Sequence, residues 1–321
     1  MVLIFALAVL CGTVVALPSQ PMNPIIAVVS TPLIDCLAWA TPPAGVAHDG
    51  GCIESYYVRW LEAAGVRAVP LIWNDTWAMR KTVLDHVNGV LFPGGDLSGQ
   101  WWDWYVGNAT EILDYSLQRN SVGDPFFTWG TCQGFQVIGV VAAGTSTVLK
   151  CIYHGVDPAM LPLNLTSYQP KSTMFGARAE SPQNIVAILK TQNSTLNWHS
   201  CGISPHDFNE KMGKVLSVIS TNHDVNGVPF ISSYESPQNN LFATQFHPER
   251  VPYEFSNDIV GHNPDDIRVS TYLSMFIASR LRMNNHSYAT AQNADASTME
   301  NFPLVNLGYG SGVYWITARS K

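Results

Sequence analysis

Between an apolar run, Phe126 to Trp129, and an amphipathic run, Gln133 to Val141, the chain reads Gly130-Thr131-Cys132-Gln133-Gly134. A cysteine with glycine two residues away on either side fits a strand that turns sharply into a helix. Side chains at the two glycine positions would strike the neighbouring strand and helix, and the turn leaves the sulfur exposed. It also places the sulfur at the carboxyl end of a strand and at a helix N-terminus, where partial positive charge favours thiolate. The plainer reading is a buried structural cysteine beside two unrelated glycines, so the context must decide.

The context is an alternation of strand and helix. Ile25 to Ser30 reads as a strand, Glu54 to Ala64 as an amphipathic helix stopped by Gly65, and Val66 to Ile72 as a second strand. Thr76 to Val87 reads as helix, Gly89 to Phe92 as strand and Trp101 to Gln118 as helix, before the strand and helix around Cys132. Strands separated by helices predict an α/β fold with a parallel sheet covered on both faces, and ligands at the carboxyl ends of its strands. In the second half, Val215 to Ser220 and Pro229 to Tyr234 read as strands joined through Asn226-Gly227, a hairpin signal. Leu241 to Phe246 reads as a strand and Asp265 to Met283 as a long helix. The stretch after Asn284, polar and then aromatic, has no periodicity that assigns it.

A thiolate needs a base. Of nine histidines, His247 follows a predicted strand directly, in Gln245-Phe246-His247-Pro248-Glu249. Glu249, two residues on across a stiff proline, is placed to orient the ring and favour its charged form. Alone, His247 would read as a surface histidine at a strand end; with the Cys132 turn, a Cys–His–Glu arrangement is the more economical account. Acyl chemistry also needs donors for an oxyanion. The backbone N–H of Gln133 is one. Leu91-Phe92-Pro93-Gly94-Gly95-Asp96 ends the third predicted strand, and its Gly94 or Gly95 is a second source.

A chain of 321 residues suits one large α/β domain or two small ones. Its net charge of -7 and lack of any Lys/Arg run argue against nucleic acid and against an anionic membrane surface. Residues 1–16 are apolar and end in small residues, as a signal peptide does, although no positive charge precedes the run. They are too short to span a bilayer, which takes about 20 residues. The chain is then expected to be secreted or lysosomal. Charged residues make up 13%, so glycans are one route to solubility; acceptor motifs stand at Asn74, Asn108, Asn164, Asn193 and Asn285. Without Cys11, five cysteines remain, an odd number that leaves one thiol unpaired; Cys132 is that thiol on the grounds above. Cys36 with Cys52 and Cys151 with Cys201 are the pairs that follow, although spacing does not fix connectivity.

Several segments, in order, carry a family resemblance: SYYVRWLEAAGVRAVP, GVLFPGGD, FFTWGTCQGF, AMLPLNLT, NWHS and ATQFHPERVPYEF. Over roughly Pro24 to Met283 the chain resembles the γ-glutamyl hydrolases (folylpolyglutamate hydrolases) of the class I glutamine-amidotransferase-like superfamily. The resemblance implies a flavodoxin-like three-layer sandwich with a mostly parallel central sheet, in a single domain over residues 17–321. The segment from Ala40 to Gly51 and the tail 284–321 match poorly. It implies hydrolysis of γ-glutamyl bonds in folylpoly-γ-glutamates or related conjugates, with Cys132 as nucleophile, His247 as base and Glu249 as third member. His199 in NWHS and Tyr57 match residues near the substrate. Gln136, four residues past the nucleophile where some relatives carry Glu, is expected to contact the glutamyl group. Arg250, Lys171 and Arg59 are candidates for the substrate's α-carboxylates by sequence neighbourhood. No cofactor or metal is expected, and homodimers are common in the family. The rival readings are a glutamine amidotransferase-type glutaminase, a papain-type protease, and a non-enzymatic secreted binding protein on the same fold.

Overall fold

The computed structural model describes residues 23–38, 40–44, 46, 50–176 and 183–317. The expected signal segment, 1–16, lies outside the described residues. Strands that are apolar at every position, such as Ile25–Val29 and Gly89–Phe92, can only sit between two covering layers. They form an eight-stranded sheet in the order Arg67–Leu71, Ile25–Val29, Gly89–Phe92, Phe127–Thr131, Leu241–Thr244, Pro229–Ser236, Ser217–His223, Asn164–Leu165. The first five are mutually parallel and the last three extend the sheet antiparallel. Taken in chain order, the parallel strands run 2-1-3-4-5, the flavodoxin-like order.

The pleat sorts side chains between two cores. Ile26, Val28, Leu91, Phe127, Trp129 and Phe242 face helices Ser55–Glu62, Gln183–Thr191 and Pro264–Leu281. Ala27, Val29, Val90, Phe92 and Ala243 face helices Trp77–Leu84, Gly99–Ser121, Gln133–Ala143 and Pro205–Lys211. Trp60 and Trp129 pack together in the first core with ring centroids 6.1 Å apart, and truncating either to alanine would cost about 3–5 kcal/mol. Helix starts are chemically marked. Thr76 caps Trp77–Leu84, and Asn263 with Asp266 forms a capping box before Pro264.

The expected strands and long helices of the sheet are present, including the hairpin whose turn is tied by Asp224 to the N–H groups of Asn226 and Val228. The poorly matched tail folds back onto the strand that begins where the poorly matched segment 40–51 ends. Gly51–Glu54 pairs antiparallel with Ser311–Ile316, which pairs in turn with Leu304–Gly308, and Thr31–Pro32 closes a second, four-stranded sheet. The tail also fills space in the main core through Met299, Tyr314 and Ile316. Both expected disulfides are formed, Cys36–Cys52 and Cys151–Cys201, and Cys132 is free. Among the described residues no helix is long and apolar enough to cross a membrane, and no cluster of His, Cys, Asp and Glu is arranged to hold a metal ion.

Candidate active site

The Phe127–Thr131 strand ends one residue before Cys132, and the helix Gln133–Ala143 begins one residue after it. Cys132 therefore makes the whole turn, with φ +51° and ψ −108°, a strained backbone for a residue with a side chain. The flanking glycine is sterically required. A Cβ on Gly134 would lie 2.0 Å from the carbonyl oxygen of Phe92 on the adjacent strand. The sheet also fixes the turn, since the Cys132 N–H donates to the carbonyl of Thr244 at 2.9 Å. No side chain caps the helix that follows, which leaves its first N–H groups, that of Gln133 among them, without intrahelical partners.

Thr244 ends the strand beside Phe127–Thr131, in register with Thr131. Three residues later His247, only 3% exposed, is held by its N–H on the carbonyl of Leu196 at 2.7 Å. On one side its ring faces Cys132 across the Gly94 backbone, in the same cavity. On the other, Nδ1 donates to Glu249 Oε1 at 2.6 Å. Glu249 is fully buried and its Oε2 has no hydrogen-bond partner among the described residues, so its charge is directed at the ring. Burial opposes a charged imidazole, but the Glu249 carboxylate and the Cys132 sulfur outweigh it and hold His247 up to about 10.

The Gly94-Gly95 turn closes over the sulfur. A Cβ on Gly94 would lie 2.9 Å from His247 Cε1 and 3.3 Å from Cys132 Cβ. Three side chains pin this turn. The Tyr57 hydroxyl accepts the Gly94 N–H at 2.7 Å. Asp35 accepts the Asp96 N–H at 2.9 Å. The Gln133 side chain accepts from the N–H of Leu97 and donates to its carbonyl, at 3.1 and 2.9 Å. Of the two glycines expected to serve an oxyanion, Gly94 has its N–H already given to Tyr57. Burial first, then Glu249 and Glu54, push the Tyr57 phenol well above its usual range, so it stays neutral.

Of these residues, Cys132, His247, Gly95, Asp35 and Asp96 line a cavity of about 420 Å³ at the carboxyl edge of the parallel strands. Its far wall is the segment from Trp198 to Cys201, anchored by the Cys151–Cys201 disulfide. The Trp198 carbonyl lies 3.8 Å from the Cys132 sulfur. Gln136 reaches this wall, donating to the carbonyl of Cys201 at 2.8 Å. His199 donates from Nδ1 to the same carbonyl at 2.9 Å. Its burial, followed by the positive charge of His247, lowers it to about 3, so it is a neutral ring.

Of the three cations considered, only Arg250 reaches the cavity. Its Nη2 donates to both Glu54 oxygens, at 2.9 and 2.6 Å, and its guanidinium lies over Tyr56 and Trp198, each ring centroid 5.2 Å away. Burial raises Glu54 above the usual carboxylate range and Arg250 pulls it only part of the way back. Arg59 points elsewhere, donating to the carbonyl of Gly310 at 2.6 Å, and Lys171 is exposed away from the cavity. Asp35 and Glu54 are wall residues that no motif announced, and Trp198 stands in the NWHS segment without having been singled out. Each acts through a contact made by the fold, not through spacing. Among the acceptor asparagines, Asn164, Asn193 and Asn285 are exposed and Asn74 is half-buried. Asn108 is 8% exposed within a helix and donates to the carbonyl of Trp73, leaving no room for a glycan without breaking that packing.

A thiol paired with an imidazole above a parallel sheet is the equipment of thiol-dependent acyl-transfer enzymes on α/β folds. Residues 24–249 match the Peptidase C26 family, and the chain belongs to it. The gamma-glutamyl hydrolase B of Dictyostelium discoideum is 31% identical, covering 85% of this chain and 78% of that protein. The gamma-glutamyl hydrolase of Homo sapiens is 31% identical, covering 80% and 79%. Among solved structures, PurLQS from Thermotoga maritima aligns with 16% identity and a TM-score of 0.43, over 80% of this chain and 100% of that one. The family match includes Cys132, His247 and Glu249 and ends before Arg250 and the C-terminal hairpin.

Proposed function

We propose that this chain hydrolyses γ-glutamyl amide bonds, with Cys132 as the nucleophile. The observation that carries the reading is that the Cys132 sulfur and a His247 ring held by buried Glu249 line one cavity, in a member of the Peptidase C26 family. The Cys132 thiolate attacks the γ-carbonyl carbon, and the N–H groups of Gln133 and Gly95 receive the oxyanion. The His247 imidazolium gives its proton to the leaving nitrogen and the C–N bond breaks, leaving a γ-glutamyl thioester and a free amine. Water then adds to the thioester as His247 takes its proton, the C–S bond breaks, and a γ-carboxylate leaves. Glu249 keeps the ring oriented, and Tyr57 and Gln133 hold the Gly94-Gly95 turn in place. His199 and Gln136 shape the glutamyl subsite from the opposite wall. Folylpoly-γ-glutamates and other γ-glutamyl conjugates both present the required bond.

Two disulfides in so short a chain suit an oxidising compartment, in keeping with a secreted or lysosomal enzyme bearing glycans on Asn164, Asn193, Asn285 and Asn74. The test is mass spectrometry of products from a γ-linked glutamyl peptide treated with the wild-type chain and with Cys132→Ala. Only the wild type should release amine, passing through an acyl-enzyme heavier by one glutamyl group. A folded wild-type chain that releases nothing would return the choice to a binding protein on a retired hydrolase fold. Transfer of nitrogen to an acceptor, in place of hydrolysis, would favour an amidotransferase.

A further inference from the structure

Two consecutive residues at the active site carry opposite charges that would offset each other if they met. Glu249 is fully buried, and its Oε2 has no hydrogen-bond partner among the described residues. The Nε of Arg250 is likewise buried without one and stands 3.9 Å from Glu249 Oε1. Attraction in a low-dielectric interior would draw such a cation onto such an acceptor. Here Nη2 is taken instead by both oxygens of Glu54, on the strand Gly51–Glu54, while the guanidinium lies over Tyr56 and Trp198. Glu254, 3.9 Å from Nη1, is less free to do the same, because its oxygens already accept from the Tyr56 hydroxyl and from Ser256.

The pairing matters because of what Glu249 does. Burial acts against the His247 proton, and Glu249 is first among the groups that hold it up to about 10. A guanidinium settling on Glu249 would offset that charge and loosen the proton. The other titratable groups facing the pair do little to hold Arg250 away. Asp35, from the helix Leu33–Leu37, accepts the Asp96 N–H. Burial pushes the Tyr56 and Tyr57 phenols up, so both are neutral. The His199 ring is neutral as well, and Cys132 faces the other side of the His247 ring. Asp96 and Asp157 line the same cavity but are exposed, where water and salt screen them.

Resting on the hydrolase reading above, we infer that Glu54 is a positioning residue for the catalytic pair: by holding the Arg250 guanidinium it keeps that cation off Glu249 and leaves the Glu249 charge to the His247 ring. Glu54 acts through Arg250 and not on the reacting atoms, and it does so from a strand outside the main sheet.

The test is the pH profile of the full chain, with kcat and KM read separately on a γ-linked glutamyl peptide. Glu54→Gln removes the charge and keeps the shape, which releases Arg250 toward Glu249. The alkaline limb of kcat/KM should fall by about one pH unit or more. Removing the cation as well, in the Glu54→Gln, Arg250→Gln double variant, should bring the limb back to within about 0.3 pH unit of wild type. The same profiles are read without substrate from alkylation of Cys132 by iodoacetamide, followed by peptide mass spectrometry, because the charge on a neighbouring ring governs the reactivity of a sulfur. Should Glu54→Gln not fold, Glu54→Gln with Arg250→Lys takes its place and should lower the limb in the same direction. A limb unmoved in the folded variant, or still low in the double variant, would overturn the inference. So would a change confined to KM, which would make Glu54 a wall of the substrate subsite and nothing more. Alkylation profiles that coincide in all the chains would overturn it whatever the turnover. A wild type that releases no amine, with alkylation profiles that shift as expected, would remove the hydrolase reading and leave the Glu54 pairing standing.

Discussion

The floor of the cavity and its walls are built in different ways. The floor hangs from two adjacent parallel strands, with Cys132 one residue past Thr131 and His247 three past Thr244, positions set by strand register and by the backbone bonds of Cys132 to Thr244 and of His247 to Leu196. The walls come from separate parts of the chain held by cross-links. The helix Leu33–Leu37, carrying Asp35, is joined to the strand carrying Glu54 by Cys36–Cys52. That strand is paired with a hairpin about 260 residues away, and the opposite wall is tied down by Cys151–Cys201. The difference assigns separate jobs: the sheet positions the reacting atoms and the cross-linked additions decide what reaches them. Changes to the floor should then strike kcat with little loss of fold, and changes to the walls should strike KM and stability.

The largest separation is expected from Cys132→Ala. Without the sulfur there is no acyl-enzyme, and turnover should fall by at least about 10⁴-fold. The strained backbone at φ +51° is relieved little by this change, so the thermal midpoint should move by only a few degrees. Parallel rate and melting measurements check this. A collapse of the fold in this variant would mean that the sulfur is a packing element of the core.

Glu249→Gln comes next, with an expected loss of about 10²-fold and a displaced pH profile. His247 gains its partners only on folding, so its proton is held to about 10 against an ordinary 6.5. The stabilisation contributed by the charged ring is therefore complete below about 6.5 and is lost as pH rises through about 10. Because the leaving nitrogen takes its proton from the imidazolium, the alkaline limb of kcat/KM should lie near the same value. In Glu249→Gln both the limb and the stability loss should move toward neutral pH. Rate and melting profiles from pH 5 to 11 read both, and an unmoved limb would show that Glu249 does not govern the ring.

Gly94→Ala should cost less, about tenfold in kcat. The added methyl meets the His247 ring at 2.9 Å, the Tyr57 hydroxyl at 3.0 Å and the Cys132 Cβ at 3.3 Å, so these buried side chains must give way by a few tenths of an ångström. Stability should change little, because no backbone atom blocks the methyl. An effect on KM alone would place the Gly94-Gly95 turn with the walls.

The floor was legible in the sequence because local rules decide it. The elbow glycines with the apolar run before Cys132, and separately the His247-Pro248-Glu249 spacing, each act over only a few residues of sequence. Arg250 was found for the same reason, following Glu249 directly. The walls were not legible. Asp35 and Glu54 act on Asp96 and Arg250, 61 and 196 residues away, through pairings that no periodicity encodes. The four-residue strand Gly51–Glu54 is too short to show alternation, and its partner Ser311–Ile316 sits in a stretch without a helical or strand period. Arg59 and Lys171 fail as cavity residues because neighbourhood in sequence does not tell which face of a helix or turn points inward. Gly94 differs again: its placement was foreseen, but the Tyr57 hydroxyl that takes its N–H comes from a helix on another layer.

The smallest change in rate, and the sharpest test of the division, is expected from removing Cys36–Cys52 with a Cys36→Ser, Cys52→Ser pair. The bond closes a loop of sequence separation 16, for which the chain-entropy account gives about 3 kcal/mol of stabilisation. Its loss also frees the helix bearing Asp35 from the strand bearing Glu54, while the main sheet, Cys132, His247 and Glu249 keep their own hydrogen bonds. The expected result is a lower denaturant midpoint, a KM raised about threefold, and a kcat within a factor of about two. The substituted pair leaves Cys151–Cys201 intact, so mild reductant applied to the variant separates the contribution of the opposite wall. Were kcat to fall with KM unchanged, the second sheet would be setting the geometry of the sulfur and ring themselves, and the division between floor and walls would be wrong.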